Sequence, residues 1–281
     1  MIQQLSGRLG NQLFQWGFAH RLARHYGIEI ELFMDSTHAN GFGGDDLFSN
    51  SIACDHVRGT SRKDIVGFGI KCLDKASTLN PNFITKLEQK FRLLRTKNSY
   101  LIPNLPEKEP KLVTGFYINS RNIEEVEDLL LPELQKLIRN VDIPEKLPNK
   151  FQYIHIRRGD YVTSATSHGL ISTEHYKKLV ERELPLVIGT DDVESSKSII
   201  DELAPTIVYS PSNSNAWQAL KMMSMAELLI LANSTLSWWG GFLASNNRKT
   251  VLSPSPFYKD DLESEELLQY KKFTRVNSEF L

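Results

Sequence analysis

Apolar positions change period many times along this chain. Ile2 to Leu5 is a short apolar-rich run, followed by the glycine turn Gly7-Arg8-Leu9-Gly10. Phe14, Phe18 and Leu22 then recur at i, i+4 and i+8, which predicts a helix over 12–26. Ile28, Ile30 and Leu32 alternate with Glu29 and Glu31, as in a strand. The first segment therefore reads strand, turn, helix, strand. The pattern over 38–100 is weaker and supports only a helix near 81–94. Pro103, Pro106 and Pro110 interrupt the chain, "KLVTGFY" (111–117) reads as a strand and loop, and 120–139 as a helix. Pro144 and Pro148 bracket a linker.

The second half alternates more cleanly. Strands are predicted at 152–156, 186–188 (ended by Gly189), 206–209, 228–232 and 249–253. Helices are predicted at 173–184, 193–203, 236–244 and from an Asn215 cap to about Ser224. Strict β/α alternation predicts a doubly wound parallel sheet. Right-handed crossovers then put every loop that follows a strand on one edge, where such folds bind ligands. The expected fold class is α/β, with an N-terminal domain at 1–145 and a C-terminal domain at 146–281.

Composition narrows the function classes. The chain has 281 residues, 41% hydrophobic and 24% charged, with a formal net charge of -1. Such a balance gives no general attraction to nucleic acid or to an anionic membrane. Cys54 and Cys72 are the only cysteines and form neither a disulfide framework nor a CxxC pair, as expected in a reducing compartment. The N-terminus lacks the basic and apolar regions of a signal peptide, and no apolar run approaches the ~20 residues that span a bilayer. The expectation is a soluble, cytoplasmic protein without a transmembrane segment, which leaves room for peripheral membrane contact.

Four loops on the expected binding edges carry candidate chemistry. "YIHIRRGDY" (153–161) runs from a strand into two arginines. Adjacent strand residues face opposite ways, so His155 and Arg157 share a face. Arg157 is the expected phosphate ligand, because its planar fork suits phosphate oxygens. Arg158 is then left to pair with an acid or hold the loop; an ion pair with Asp160 is the bland alternative. "VIGTDD" (187–192) brings Asp191 and Asp192, which either accept from a sugar or base or cap the next helix. "ANSTLSWWGG" (232–241) sets Ser234, Thr235 and Ser237 at a helix start, where backbone amides favour an anion, while Trp238 and Trp239 read as core. "SGRLGNQ" (6–12) places Gly7, Arg8, Gly10 and Asn11 on the edge of the first half; it is neither a dinucleotide fingerprint nor a P-loop. The tripeptide "RGD" directly follows a strand, which makes an adhesion role the weakest reading. "DD" is not a D-x-D metal motif, so no metal is expected.

Together, GRLGNQLFQWGFA, TGFY, HIRRGDY and ANSTLSWWGGFL resemble the α-1,2-fucosyltransferases, in particular the short bacterial ones of glycosyltransferase family 11. The resemblance runs from residue 7 to residue 243. It implies two Rossmann-like domains facing across a cleft (GT-B type), acceptor on the N-terminal side and GDP-fucose on the C-terminal side. It implies inverting transfer of L-fucose to the 2-hydroxyl of a β-galactoside glycan or lipid-linked oligosaccharide, without cofactor or metal. O-antigen or other surface-glycan synthesis is the implied setting. The resemblance gives Arg157 the donor β-phosphate, sets His155 near the nucleoside, brings Arg8 and Asn11 to the reacting centre, and puts Ser234, Thr235 and Ser237 in the donor-phosphate loop. Gly10, Arg158 and Asp192 complete the expected donor site.

Asp160 is the nearest carboxylate to Arg157 and the candidate base, with His168 as its rival. The chain departs from the family where Ala219 replaces a frequent acidic residue and Ala226-Glu227-Leu228 replaces Cys-x-His. Any guanine contact would then fall to Asp191, Asp192 or Glu227. A non-catalytic nucleotide-sugar-binding protein and a protein O-fucosyltransferase are the alternative functions.

Overall fold

The computed structural model describes residues 1–34, 57–59, 88, 90, 92–95, 105–143, 146–163, 168–210, 215–260 and 266–281. Cys54, Cys72 and most of the helix expected over 81–94 fall outside these. The chain divides into two compact units, 1–130 and 131–281, each built on a parallel sheet. The division falls inside a helix, upstream of the proline-bracketed segment that the sequence suggests as a linker.

In the first unit the described strands are β1 (Ile2–Leu5), β2 (Ile30–Met34), β3 (Val57–Gly59), β4 (Leu93–Arg95) and β5 (Leu112–Thr114), in the order β3-β2-β1-β5-β4. Leu93–Arg95 is thus strand rather than the end of a helix, held by its pairing with β5. Helix α1 (Leu9–Tyr26) follows β1. It is buried on nearly every side, with Trp16, Phe14 and Phe18 fully enclosed. Gly27 closes it in a left-handed conformation (φ 65°), its N–H donating to the Ala23 carbonyl. The predicted 120–139 helix is two: α2 (Ser120–Glu124), capped by the Asn119 side chain, and α3 (Glu127–Arg139). The break lets both pack against α1, where Arg21 and Arg24 pair with Glu125 and Asp128 at 2.5 Å.

In the second unit the described strands are β6 (Gln152–Ile156), β7 (Leu186–Thr190), β8 (Ile207–Tyr209), β9 (Leu228–Ile230), β10 (Thr250–Ser255) and β11 (Thr274–Asn277), in the order β11-β10-β9-β6-β7-β8. Every pairing is parallel. β6 and β7 are buried at every position, as central strands covered on both faces should be. β7 continues through Gly189 to Thr190 rather than stopping at the glycine. A Cβ at residue 189 would stand 1.7 Å from the Tyr153 hydroxyl of β6, so the glycine makes room for a neighbour's ring rather than ending a strand.

The described α-helices that follow in this unit are α4 (Thr173–Leu179), α5 (Lys197–Leu203), α6 (Ala216–Met225) and α7 (Thr235–Asn246). α4 is shorter than expected, and α5 starts four residues later than expected because Asp192 caps a preceding turn. β11 adds a strand to those the sequence predicts; its polar stretch TRVN suits a sheet edge. Trp238 and Trp239 are fully buried, as expected for core residues. Gly240 and Gly241 let α7 lie close to Met223 of α6 and to Phe273 and Leu231.

Candidate functional site

Strand order fixes where ligands can gather. In the second sheet the chain proceeds from β6 to β7 and β8 on one side, then returns to β9 on the other. The loops after β6 and β9 therefore flank the topological switch point, the place where open parallel sheets bind ligands. These loops are the HIRRGDY and ANSTLSWWGG segments. The first sheet repeats the arrangement: β1 has β2 on one side and β5 on the other. Its switch point is flanked by the SGRLGNQ loop and the GFY segment. A Cβ at Gly7 (φ 74°) would meet Asn11 at 2.9 Å and Phe116 at 3.1 Å, so the two segments touch. Gln12 and Gln15, which no motif marks as functional, pin this loop. Gln15 exchanges two 2.8 Å bonds with the Ser6 backbone, and Gln12 donates to the Gly7 carbonyl at 2.7 Å. Arg8 is the exposed N-cap of α1, with Gly10 and Asn11 in its first turn.

In the second unit the two arginines have different surroundings. Arg158 is 4% exposed, and its Nη2 donates to the Ile171 carbonyl at 2.7 Å. It holds the loop, one of the two fates expected for it. The Arg157 side chain is 13% exposed. Its Nη2 meets Asp160 Oδ1 at 2.5 Å and its Nη1 meets Asp191 Oδ2 at 2.7 Å. The guanidinium carbon lies 5.4 Å from the Tyr161 ring centroid. The Tyr161 hydroxyl donates to the Asn233 carbonyl at 3.0 Å, joining this loop to the one after β9. Asn233 in turn donates to the carbonyls of His168 and Gly169. The His168 ring stacks obliquely on Tyr161, 4.7 Å between centroids, and edge-on to Tyr258.

The two aspartates of "VIGTDD" separate. Asp191 accepts the Arg158 backbone N–H at 2.8 Å while pairing with Arg157. Asp192 accepts from the Ser195 N–H and hydroxyl, which hold its carboxyl below the usual range. Asp192 is therefore the cap, one of the two roles the sequence leaves open for this pair, and Asp191 is the arginine partner. Ser237, expected in the donor-phosphate loop, lies beneath that loop. It is fully buried, and its hydroxyl accepts the Ala232 N–H at 2.9 Å, which shapes the turn. Ser234 is the N-cap of α7 yet makes no side-chain capping bond, and Thr235 opens the helix. Glu227 pairs with Lys249 at 2.6 Å and precedes β9, at the strand starts, on the edge opposite the arginines.

Gly159 creates the seat for Asp191: a Cβ there would stand 2.4 Å from Asp191 Oδ2. Gly159→Ala is expected to push the carboxylate off both arginines. If Arg157 holds the donor phosphate as the family resemblance implies, turnover should fall roughly 10- to 100-fold through its misplacement, while stability stays within about 1 kcal/mol of wild type. Parallel kinetics and urea unfolding check this.

His155 lies 5% exposed in β6, with no hydrogen-bond partner for Nδ1. Burial, aided by the neighbouring Arg157 cation, pushes its imidazole down to about 3. Burial also lowers His175. An unfolded histidine titrates near ~6.5, so the unfolded chain binds the extra proton first and stability falls as pH drops below that value. Between pH 6.5 and 5, His155 alone should remove up to about 2 kcal/mol. Urea unfolding across this range should show a shallower loss for His155→Asn than for wild type.

Among the described residues, no group of three or more His, Cys, Asp or Glu is placed to hold a metal ion. No described helix is long and apolar enough to cross a membrane.

The model of glycosyl transferase family 11 matches residues 75–275, most of the chain. The protein belongs to that family and is a glycosyltransferase. It is 27% identical to an alpha-1,2-colitosyltransferase of Escherichia coli, with 94% of each chain covered. It is 26% identical to the O-antigen biosynthesis glycosyltransferase WbnK of Escherichia coli, covering 94% of this chain and 97% of that one. Among solved structures it resembles E. coli heptosyltransferase WaaC with ADP, at a TM-score of 0.51 and 12% identity, over 98% of this chain and 92% of that chain. The fold is of the GT-B type.

Proposed function

We propose that this enzyme transfers L-fucose from GDP-β-L-fucose to the 2-hydroxyl of a terminal β-galactoside, with inversion, in the cytoplasmic assembly of O-antigen or another surface glycan. The observation that carries the reading is the family's HIRRGDY segment at a switch point, with Arg157 partly exposed there and Arg158 buried. The acceptor oxygen attacks C1 of fucose as the bond from C1 to the diphosphate oxygen breaks, and GDP departs with that electron pair. Arg157 and the amides at the start of α7 offset the charge that grows on the leaving diphosphate. Asp160 takes the proton of the acceptor hydroxyl. Ser234 and Thr235 face the diphosphate, and His155 lies toward the nucleoside. Arg8, Gly10 and Asn11 carry the roles that the family resemblance implies for the first unit. The reaction needs no metal on this reading.

A second donor has one specific support, the relative named for colitose. Colitose is L-fucose without its 3-hydroxyl, so the same diphosphate chemistry would serve both. Acceptor-dependent GDP release should be followed with GDP-fucose and GDP-colitose side by side, in EDTA, against a panel of β-galactosides. Faster release from GDP-fucose that survives EDTA supports the proposal. Preference for GDP-colitose replaces the donor and keeps the chemistry. GDP binding without release from either donor overturns the proposal and favours a non-catalytic nucleotide-sugar-binding protein.

A further inference from the structure

We infer that Asp160 occupies the diphosphate's place on Arg157, and that donor binding displaces it, while Asp191 stays as a permanent positioning residue. The inference rests on the proposed seating of the donor diphosphate at Arg157.

The two carboxylates on this guanidinium are held very differently. Asp191 is 22% exposed and fixed at three points: it pairs with Arg157 Nη1, accepts the Arg158 N–H, and fits against Gly159, where no side chain could stand. Asp160 is 53% exposed and approaches Arg157 Nη2 from the opening turn of a short 3-10 helix, Gly159–Tyr161. Water reaches this pair at its Asp160 end and weakens it. A carboxylate screened by water yields to a stronger anion more readily than one that also supports the backbone.

Charge balance points the same way. Arg157 and Arg158 carry two positive charges, and Asp160 and Asp191 carry two negative ones, so the group is neutral as it stands. A diphosphate brings at least two further negative charges. Placing it beside both carboxylates sets like charges against each other in a partly buried site. Arg158 cannot help, since its Nη2 is spent on the Ile171 carbonyl and it is 4% exposed. Rotation of Asp160 away from Nη2 leaves a net positive seat and presents Nη2 to a phosphate oxygen beside Nη1, the fork that phosphate recognition uses. The same movement delivers a carboxylate to the neighbourhood of the reacting centre only when the donor is present. Asp160 therefore serves in turn as stand-in anion and as base, and donor binding arms it.

The two aspartates should then give opposite signs in donor affinity. GDP binding would be measured by calorimetry for wild type, Arg157→Ala, Asp160→Asn and Asp191→Asn. Asp160→Asn should bind GDP roughly 3- to 10-fold more tightly, because a competing anion is gone. Its turnover should still fall, so that affinity and kcat move apart, which a merely structural residue would not produce. Asp191→Asn should bind GDP about 10-fold or more weakly, because Arg157 loses its anchor. Inorganic diphosphate should repeat the ranking, which places the effect at the phosphates rather than at the base. If Arg157→Ala binds GDP like wild type, the seating at Arg157 fails and the inference falls with it. If Arg157→Ala loses GDP but Asp160→Asn binds it equally or more weakly, the seating stands and the displacement is wrong.

Discussion

Arg157→Ala should reduce acceptor-dependent nucleotide release by about 100- to 1000-fold or more, the loss typical of a donor that stabilises developing charge. The protein should remain folded. Arg157 is anchored to Asp160 and Asp191 at the mouth of a switch point, not within the core. Arg157→Lys should fall between the two. Lysine restores the charge but not the planar fork that meets Asp191 and, as proposed, a phosphate together. Single-turnover measurements with saturating donor separate the chemical step from binding. A turnover within threefold of wild type in the alanine variant would remove Arg157 from the reaction and leave the diphosphate to the α7 amides.

The largest effect on stability should come from a single methyl group. Gly189→Ala places a carbon 1.7 Å from the Tyr153 hydroxyl, between two strands buried at every position. Neither strand can retreat, because β6 is held by β9 and β7 by β8. The clash should cost about 3 kcal/mol or more, seen as a melting temperature lower by roughly 6–12 °C for a chain of this size. Tyr153→Phe should not rescue it, since two ring carbons lie 2.5 and 3.0 Å from the same point. Tyr153→Ala combined with Gly189→Ala should recover part of the loss. A melting temperature unchanged in Gly189→Ala would mean that the Tyr153 ring lies elsewhere in solution.

Parts of this site are readable in the sequence, and others are hidden for physical reasons. β6 can be bounded to the residue, because an apolar run that ends abruptly in charge marks where a buried strand leaves the sheet. The different fates of Arg157 and Arg158 follow from strand parity, which needs only local geometry. The adjacent aspartates do not yield to the same treatment. Whether Asp191 or Asp192 turns toward the arginines depends on how β7 lies against β6, and Asp191 meets Arg158 across 33 positions of sequence. Ser237 resembles a ligand-facing hydroxyl because hydroxyls cluster at helix starts; its partner, the Ala232 N–H, is an internal bond that no motif announces. Tyr161 and Asn233 both stand inside family motifs, but their link needs β6 and β9 to be neighbours. β11 is invisible because an edge strand with polar side chains has no hydrophobic period to detect.

The neighbouring arginines have a consequence for how this protein tolerates change. Variants at position 158 disturb a buried guanidinium that ties the loop to the Ile171 carbonyl, so they should show up as less protein in the cell. Variants at position 157 should leave the amount of protein nearly constant and silence it. A selection read out by abundance would single out one arginine, and a selection read out by glycan would penalise both. Two identical letters side by side thus answer to separate pressures, and comparing the two selections would tell scaffold from chemistry one residue at a time.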